Sequence, residues 1–201
     1  MPRHVDPEKR RRDIIRAASK LLLAQGLKGV TFASVAAELG GSTTVVTHYY
    51  STVSELIDDV AARAVQAWQD DVDEIMAEHP EGPEAQLRAV LFEWLTPIVG
   101  ENLDQERVRF ILLGGRSFGD DTQRLLDSWE AGMRDLFRRC VRPLVPEERV
   151  EAVADVLRVA YNGLALSTAE HPDYWTADRQ TAVFETVVAS LGLLTTSKAT
   201  K

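Results

Sequence analysis

Residues 31–50 read TFASVAAELGGSTTVVTHYY. Thr31, set just before an apolar-periodic run, has the chemistry of a helix N-cap, and Gly40-Gly41 supplies the stop. Ser42 is placed to cap a second short helix that ends near Tyr50. Val35, Ala36 and Leu39 share one side of the first helix, where small Ala33 and Ala37 are expected to permit close approach. On the second, Val45, Val46, Tyr49 and Tyr50 fall on one side, and Thr43, Thr44, Thr47 and His48 on the other. Two short helices about a glycine turn have the outline of a helix-turn-helix. The polar side suits approach to base edges: threonine hydroxyls can bond bases or phosphates, threonine methyls can touch thymine methyls, and His48 can donate to a guanine or a phosphate.

Upstream, Asp6-Pro7-Glu8 combines an N-cap, a proline suited to the first helical position and an early acid, and Gly26 marks the end of that helix. Ile14, Ala18, Leu21 and Leu22 lie on one side of it. Lys9, Arg12, Arg16 and Lys20 form a basic stripe on the other. The whole chain of 201 residues carries a net charge of −8. Residues 1–50 hold eight Lys/Arg and four Asp/Glu, a net of +4, and residues 51–201 hold 15 and 27, a net of −12. A basic head on an acidic body implies that the head meets a polyanion and the body does not.

Residues 10–57 resemble the N-terminal domain of the TetR family of one-component repressors. The matching residues are Ile14-Ile15-Arg16-Ala17-Ala18, Gly26, the run from Val30 to Ser42, Val46-Thr47-His48-Tyr49-Tyr50 and Glu55-Leu56-Ile57. The resemblance implies a homodimer on a palindromic DNA operator, released by an unknown small-molecule effector bound in the C-terminal domain. It implies that Thr31 offers a helix N-terminus to a phosphate, that Ser42 caps the recognition helix, that Thr43, Thr44 and His48 face bases, that Tyr49 touches a phosphate, and that Tyr50 is a core aromatic. Thr47 stands where the family often has tyrosine, and Val53 where it often has lysine. The recognition helix also lacks Arg, Asn and Gln, the best bidentate base readers. Reading of sequence is therefore expected to lean on methyl contacts, DNA shape and an N-terminal arm carrying Arg3 and Arg10 to Arg12. The expected DNA-binding set is Arg10, Arg12, Arg16, Thr31, Ser42, Thr43, Thr44, Thr47, His48 and Tyr49.

No strand pattern is evident, and the chain is expected to be all-α. The pattern predicts a three-helix helix-turn-helix DNA-binding domain over 1–52 and a larger helical bundle for ligand binding and dimerisation over 53–201, about nine helices in all. Thr52 with Glu55 predicts a capping box for a long helix to about Ala77, which would link ligand site to head. Further helices are predicted over 84–99, 104–114, 121–141, 147–170 and 177–194. Trp68, Trp94, Phe110, Trp129 and Met133 are the candidate pocket lining, core packing being the other reading. Leu157, Ala160, Gly163 and Leu164 on one terminal helix, with Phe184, Val187, Val188 and Leu191 on the other, are the candidate dimer interface, a four-helix bundle with the partner's pair.

Composition excludes other classes. Gly and Pro total 20 residues of 201, too few for a collagen-like or wholly disordered chain. The single cysteine, Cys140, cannot form an internal disulfide or a multi-cysteine metal site. No apolar run reaches the roughly 18 residues a membrane span needs, and Arg16 interrupts the first one, so no membrane partner and a cytoplasmic location are expected. There is no zinc-binding His-Glu-x-x-His, no phosphate-binding glycine loop and no Gly-x-Ser-x-Gly elbow; no metal, cofactor or enzymatic activity is expected. A regulator without a small-molecule ligand, and an all-helical enzyme acting on an anionic substrate, are the alternatives.

Overall fold

The computed structural model describes residues 6–78, 82–114 and 120–193. Among them are nine α-helices and no strand: α1 Pro7–Gln25, α2 Phe32–Glu38, α3 Thr43–Thr47, α4 Val53–Glu78, α5 Pro83–Ala89, α6 Gly100–Gly114, α7 Asp120–Val141, α8 Glu147–Glu170 and α9 Ala177–Leu191. Two compact units are built from them, one from Met1–Ala67 with Arg107–Asp127, the other from Trp68–Glu106 with Ser128–Lys201. This division is drawn on packing, whereas the 52/53 division read from sequence marks the end of the helix-turn-helix. The two differ because the first turns of α4 and part of α6 bury apolar side chains in the same core as α1 to α3.

That first core holds Ile14, Ala18 and Leu22 of α1, Val35 and Ala36 of α2, and Val46 with Tyr50 around α3. Leu56, Ile57, Val60 and Ala61 of α4 and Val108 and Leu112 of α6 complete it. Each large apolar side chain buried here contributes roughly 1.5–3 kcal/mol relative to exposure. The helix ends follow local chemistry. The Asp6 carboxylate accepts the Glu8 N–H at 3.0 Å. Thr31 Oγ1 accepts the Ser34 N–H at 3.0 Å while Ser34 Oγ accepts the Thr31 N–H at 2.9 Å, a reciprocal capping box. Glu55 does the same for α4: its carboxylate takes the Ser51 and Thr52 N–H groups at 2.6 and 3.3 Å, and its own N–H donates to Thr52 Oγ1 at 3.1 Å.

The second unit packs α5, α8, α9 and most of α7 around Leu87, Leu91, Met133, Phe137, Leu157 and Phe184. Here the sequence misjudged one element. The helix expected over 84–99 ends at Trp94: Val90–Trp94 is a π-helical turn, with the Leu95 N–H reaching back five residues to the Val90 carbonyl at 2.9 Å. Pro97 lacks an N–H and disfavours helix in the residue before it, so the chain runs irregular from Thr96 to Val99. Gln180, buried in α9, holds this stretch: its side-chain oxygen accepts the Ile98 N–H at 2.6 Å and its amide donates to the Trp175 carbonyl at 2.8 Å. Cys140 is buried in the same unit, and burial pushes its thiol up to about 11, in the unreactive direction. No described helix is long and apolar enough to cross a membrane. No group of three or more His, Cys, Asp or Glu among the described residues could hold a metal ion.

Candidate nucleic-acid interface

α3 has only five residues, too short to be stable alone, so its orientation is set by the side chains it plugs into the core. Val46 and Tyr50 are buried, with Val45 and Tyr49 half-buried beside them. Thr43, Thr44, Thr47 and His48 are all exposed on the other side, as the wheel required. The turn into α3 depends on Gly40, whose φ of +65° is the left-handed region, and on the N–H groups of Gly40 and Gly41 returning to Ala37 and Ala36 at 3.0 and 2.9 Å.

Tyr50 carries more than packing. Its hydroxyl donates to Asp59 Oδ2 at 2.7 Å, and the Arg11 guanidinium donates to the same oxygen at 2.8 Å. Burial, and then the Asp59 carboxylate, push the Tyr50 phenol well above its usual range. Asp59 likewise raises Arg11 further above its ordinary value. One carboxylate from α4 thus ties α1 to the end of the recognition segment. Nothing in the sequence marked the pairing of Arg11 with Asp59, because they are 48 residues apart.

The basic stripe on α1 is exposed at Lys9, Arg12, Arg16 and Lys20. Lys9 pairs with Asp13 at 3.0 Å and holds its carboxylate below the usual range, and Lys20 pairs with Glu38 at 2.5 Å. Exposed pairs of this kind are weak and exchange readily for other anions. Three expectations need correction. Ala33 and Ala37 are exposed and allow no close approach, because Val35 and Ala36 already fill the contact side of α2. Ser42 occupies the cap position of α3 but its hydroxyl makes no cap bond. Arg10 to Arg12 belong to the first turns of α1, not to an extended arm, since Pro7 starts the helix; Arg10 is half-buried, Arg11 is committed to Asp59, and Arg3 lies outside the described residues.

In the second unit three of the five candidate pocket residues come together. The Trp68 ring lies 6.1 Å from that of Trp94 and 6.3 Å from that of Trp129, centroid to centroid. Met133 is fully buried on α7. Phe110 belongs to the other unit, where the Arg109 guanidinium sits 4.2 Å above its ring. The dimer stripe also needs correction. Leu157, Leu164, Phe184 and Val188 are buried in the chain's own core. Ala160, Val187 and Leu191 are half-buried, and Gly163 is exposed. The apolar side of α8 that does face outward carries Val156, Val159 and Leu166, with Val159 71% exposed.

No family model matches the chain. Over 57 residues it is 39% identical to the HTH-type transcriptional regulator PksA of Bacillus subtilis (strain 168), a similarity that takes in 28% of this chain and 28% of that protein's length. Solved structures match over nearly the whole chain. A transcriptional regulator from Pseudomonas aeruginosa PAO1 superposes with a TM-score of 0.79 at 22% identity, covering 94% of this chain and 92% of that one. A TetR-family regulator from Agrobacterium tumefaciens gives 0.77 at 17% identity, covering 92% and 98%. A regulator from Saccharomonospora viridis, solved in complex with choline, gives 0.75 at 18%, covering 90% and 96%. The chain has the all-helical fold of the TetR-family transcriptional regulators.

Proposed function

We propose that this protein is a transcriptional regulator that binds duplex DNA as a homodimer. Residues 1–52 read the DNA, and residues 53–201 hold the dimer contact and an effector site. The observation that carries the reading is the division of the α3 segment into buried Val46 and Tyr50 and exposed Thr43, Thr44, Thr47 and His48, next to a helix whose outward stripe is basic. The polar edge enters a major groove. Arg12, Arg16, Thr31, Ser42 and Tyr49 meet phosphates, which set register and supply the salt-dependent part of affinity. Two copies related by a two-fold axis place their recognition segments about 34–36 Å apart, or a multiple of that, so the operator is an inverted repeat. The protein acts as a repressor. A small molecule seated at Trp68, Trp94, Trp129 and Met133 releases it by binding the DNA-free state more tightly, and the change in DNA affinity cannot exceed that difference.

Selection from random duplex DNA tests this directly. The expected product is an inverted repeat whose affinity falls steeply with salt, and Thr44→Ala is expected to change the preferred base at one position in each half-site. Absence of any salt-sensitive binding to duplex DNA would sink the proposal.

The dimer contact is assigned to the outward side of α8, around Val156, Val159, Gly163 and Leu166. A Cβ at Gly163 would meet nothing within 4 Å in its own chain, so this side of α8 is open to a second helix. Val159→Glu is expected to convert dimer to monomer in light scattering while leaving helical content unchanged. A dimer of undiminished affinity would move the contact elsewhere.

A further inference from the structure

The tryptophan cluster contains two polar groups with nothing to bond. Trp68 Nε1 and Arg158 Nη1 are both buried without a hydrogen-bond partner. A buried donor left unpaired costs about 1–3 kcal/mol, more when it is charged, so such donors ordinarily await an acceptor. Both border the same ring. The Trp68 centroid is 6.3 Å from that of Trp129, and the Arg158 guanidinium carbon is 4.9 Å from it on the ring face. Arg158 is only 7% exposed.

The rest of Arg158 is fixed. Its Nε and Nη2 donate to Glu130 Oε2 at 3.1 and 2.6 Å, which points the third nitrogen away from that carboxylate. Glu130 also takes Arg134 on its other oxygen at 3.2 Å, so this carboxylate is shared between two guanidinium groups and the trio keeps a net positive charge. Glu106, also buried in this unit, accepts the Tyr161 hydroxyl at 2.8 Å. Trp68 is fixed too. Its benzo edge lies where a Cβ on Gly132 would stand, 2.8 Å from Cζ3, so the ring can reach this position only because residue 132 is glycine. The pyrrole N–H is at the opposite end of the ring.

We propose that the effector of this site is a planar aromatic carboxylate, its acid end on Arg158 Nη1 and its flat body on the tryptophans, with an acceptor in reach of Trp68 Nε1. This rests on the effector site named above and supplies its ligand chemistry. Three tryptophans would otherwise suit a cationic guest, since ring faces attract cations. Here the face of Trp129 already carries the protein's own guanidinium, and a second cation would meet its charge. The acidity of the body as a whole, net −12 over residues 51–201, does not describe this place.

The test is titration calorimetry and thermal shift on the intact protein with three probes of one shape: naphthoate, naphthamide and naphthyltrimethylammonium. Naphthoate is expected to bind at least tenfold more tightly than the other two, as a charge-assisted hydrogen bond would give. Arg158→Met should erase that preference. Replacing Trp68 by 3-benzothienylalanine keeps the bicyclic ring and exchanges only the N–H for sulfur, and should weaken naphthoate by about five- to tenfold, which keeps the test decisive if Arg158→Met does not fold. Equal or tighter binding of the amide or the ammonium, or a preference for the acid that survives both substitutions, overturns the carboxylate assignment and leaves the effector site standing. No heat and no shift from any of the three removes the effector site and the assignment together.

Discussion

Arg16→Glu is expected to lower affinity for every duplex sequence by roughly 30-fold, taking about 1 kcal/mol for each of the two phosphate contacts in a dimer. Arg16 suits the test because its side chain is 81% exposed and approaches Asp13 only to 3.9 Å, so the native fold hardly depends on it. The salt dependence is the sharper readout. Losing one phosphate contact per protomer makes the slope of log affinity against log salt shallower by about 2. Arg149→Glu makes the same charge change at an exposed position of α8 and should leave both quantities where they were. Filter binding or anisotropy at several salt concentrations measures the slope. An unchanged slope for Arg16→Glu would take α1 out of the interface, and a loss confined to one operator would mean that Arg16 reads bases.

The second large effect concerns Tyr50. Tyr50→Ala removes a side chain that is only 2% exposed and is expected to cost about 3–5 kcal/mol in urea unfolding, with loss of specific DNA binding because α3 loses its anchor. Tyr50→Phe keeps the ring and gives up only the bond to Asp59, a loss of about 1 kcal/mol. The two variants also separate in alkali. The phenol is raised in the folded state, by burial first and by Asp59 second. Its contribution is therefore complete below the unfolded value of about 10 and is lost as pH climbs through the raised folded value. Wild type should lose stability steeply between those two values and Tyr50→Phe less steeply, at matched protein concentration. Parallel pH profiles would mean that the phenol does not titrate with unfolding.

How much of this was legible in the sequence depends on range. α1 to α4 were readable because their caps lie within four residues of what they cap: Asp6 with Glu8, Thr31 with Ser34, Thr52 with Glu55. The two sides of α3 followed from periodicity alone. What failed was long in sequence or ambiguous in pattern. Arg11 and Asp59 are 48 residues apart, and Gln180 and Ile98 are 82. The tryptophans were visible as residues, but their convergence and the two orphaned donors were not. On α8, apolar residues occupy more than one side: Val153, Leu157 and Leu164 are buried, while Val156, Val159 and Leu166 are exposed. A wheel can show that both sides are greasy, but it cannot say which one the chain keeps for itself.

The five residues of α3 divide their labour so that none serves both purposes. Thr43, Thr44 and Thr47, with His48 just beyond, point outward and contribute almost nothing to holding the domain together, while Val46 alone of the helix is committed to its interior. Substitutions at the outward positions are therefore nearly silent in folding. Such a segment can drift, or be rewritten in the laboratory, from one DNA address to another without passing through an unstable ancestor.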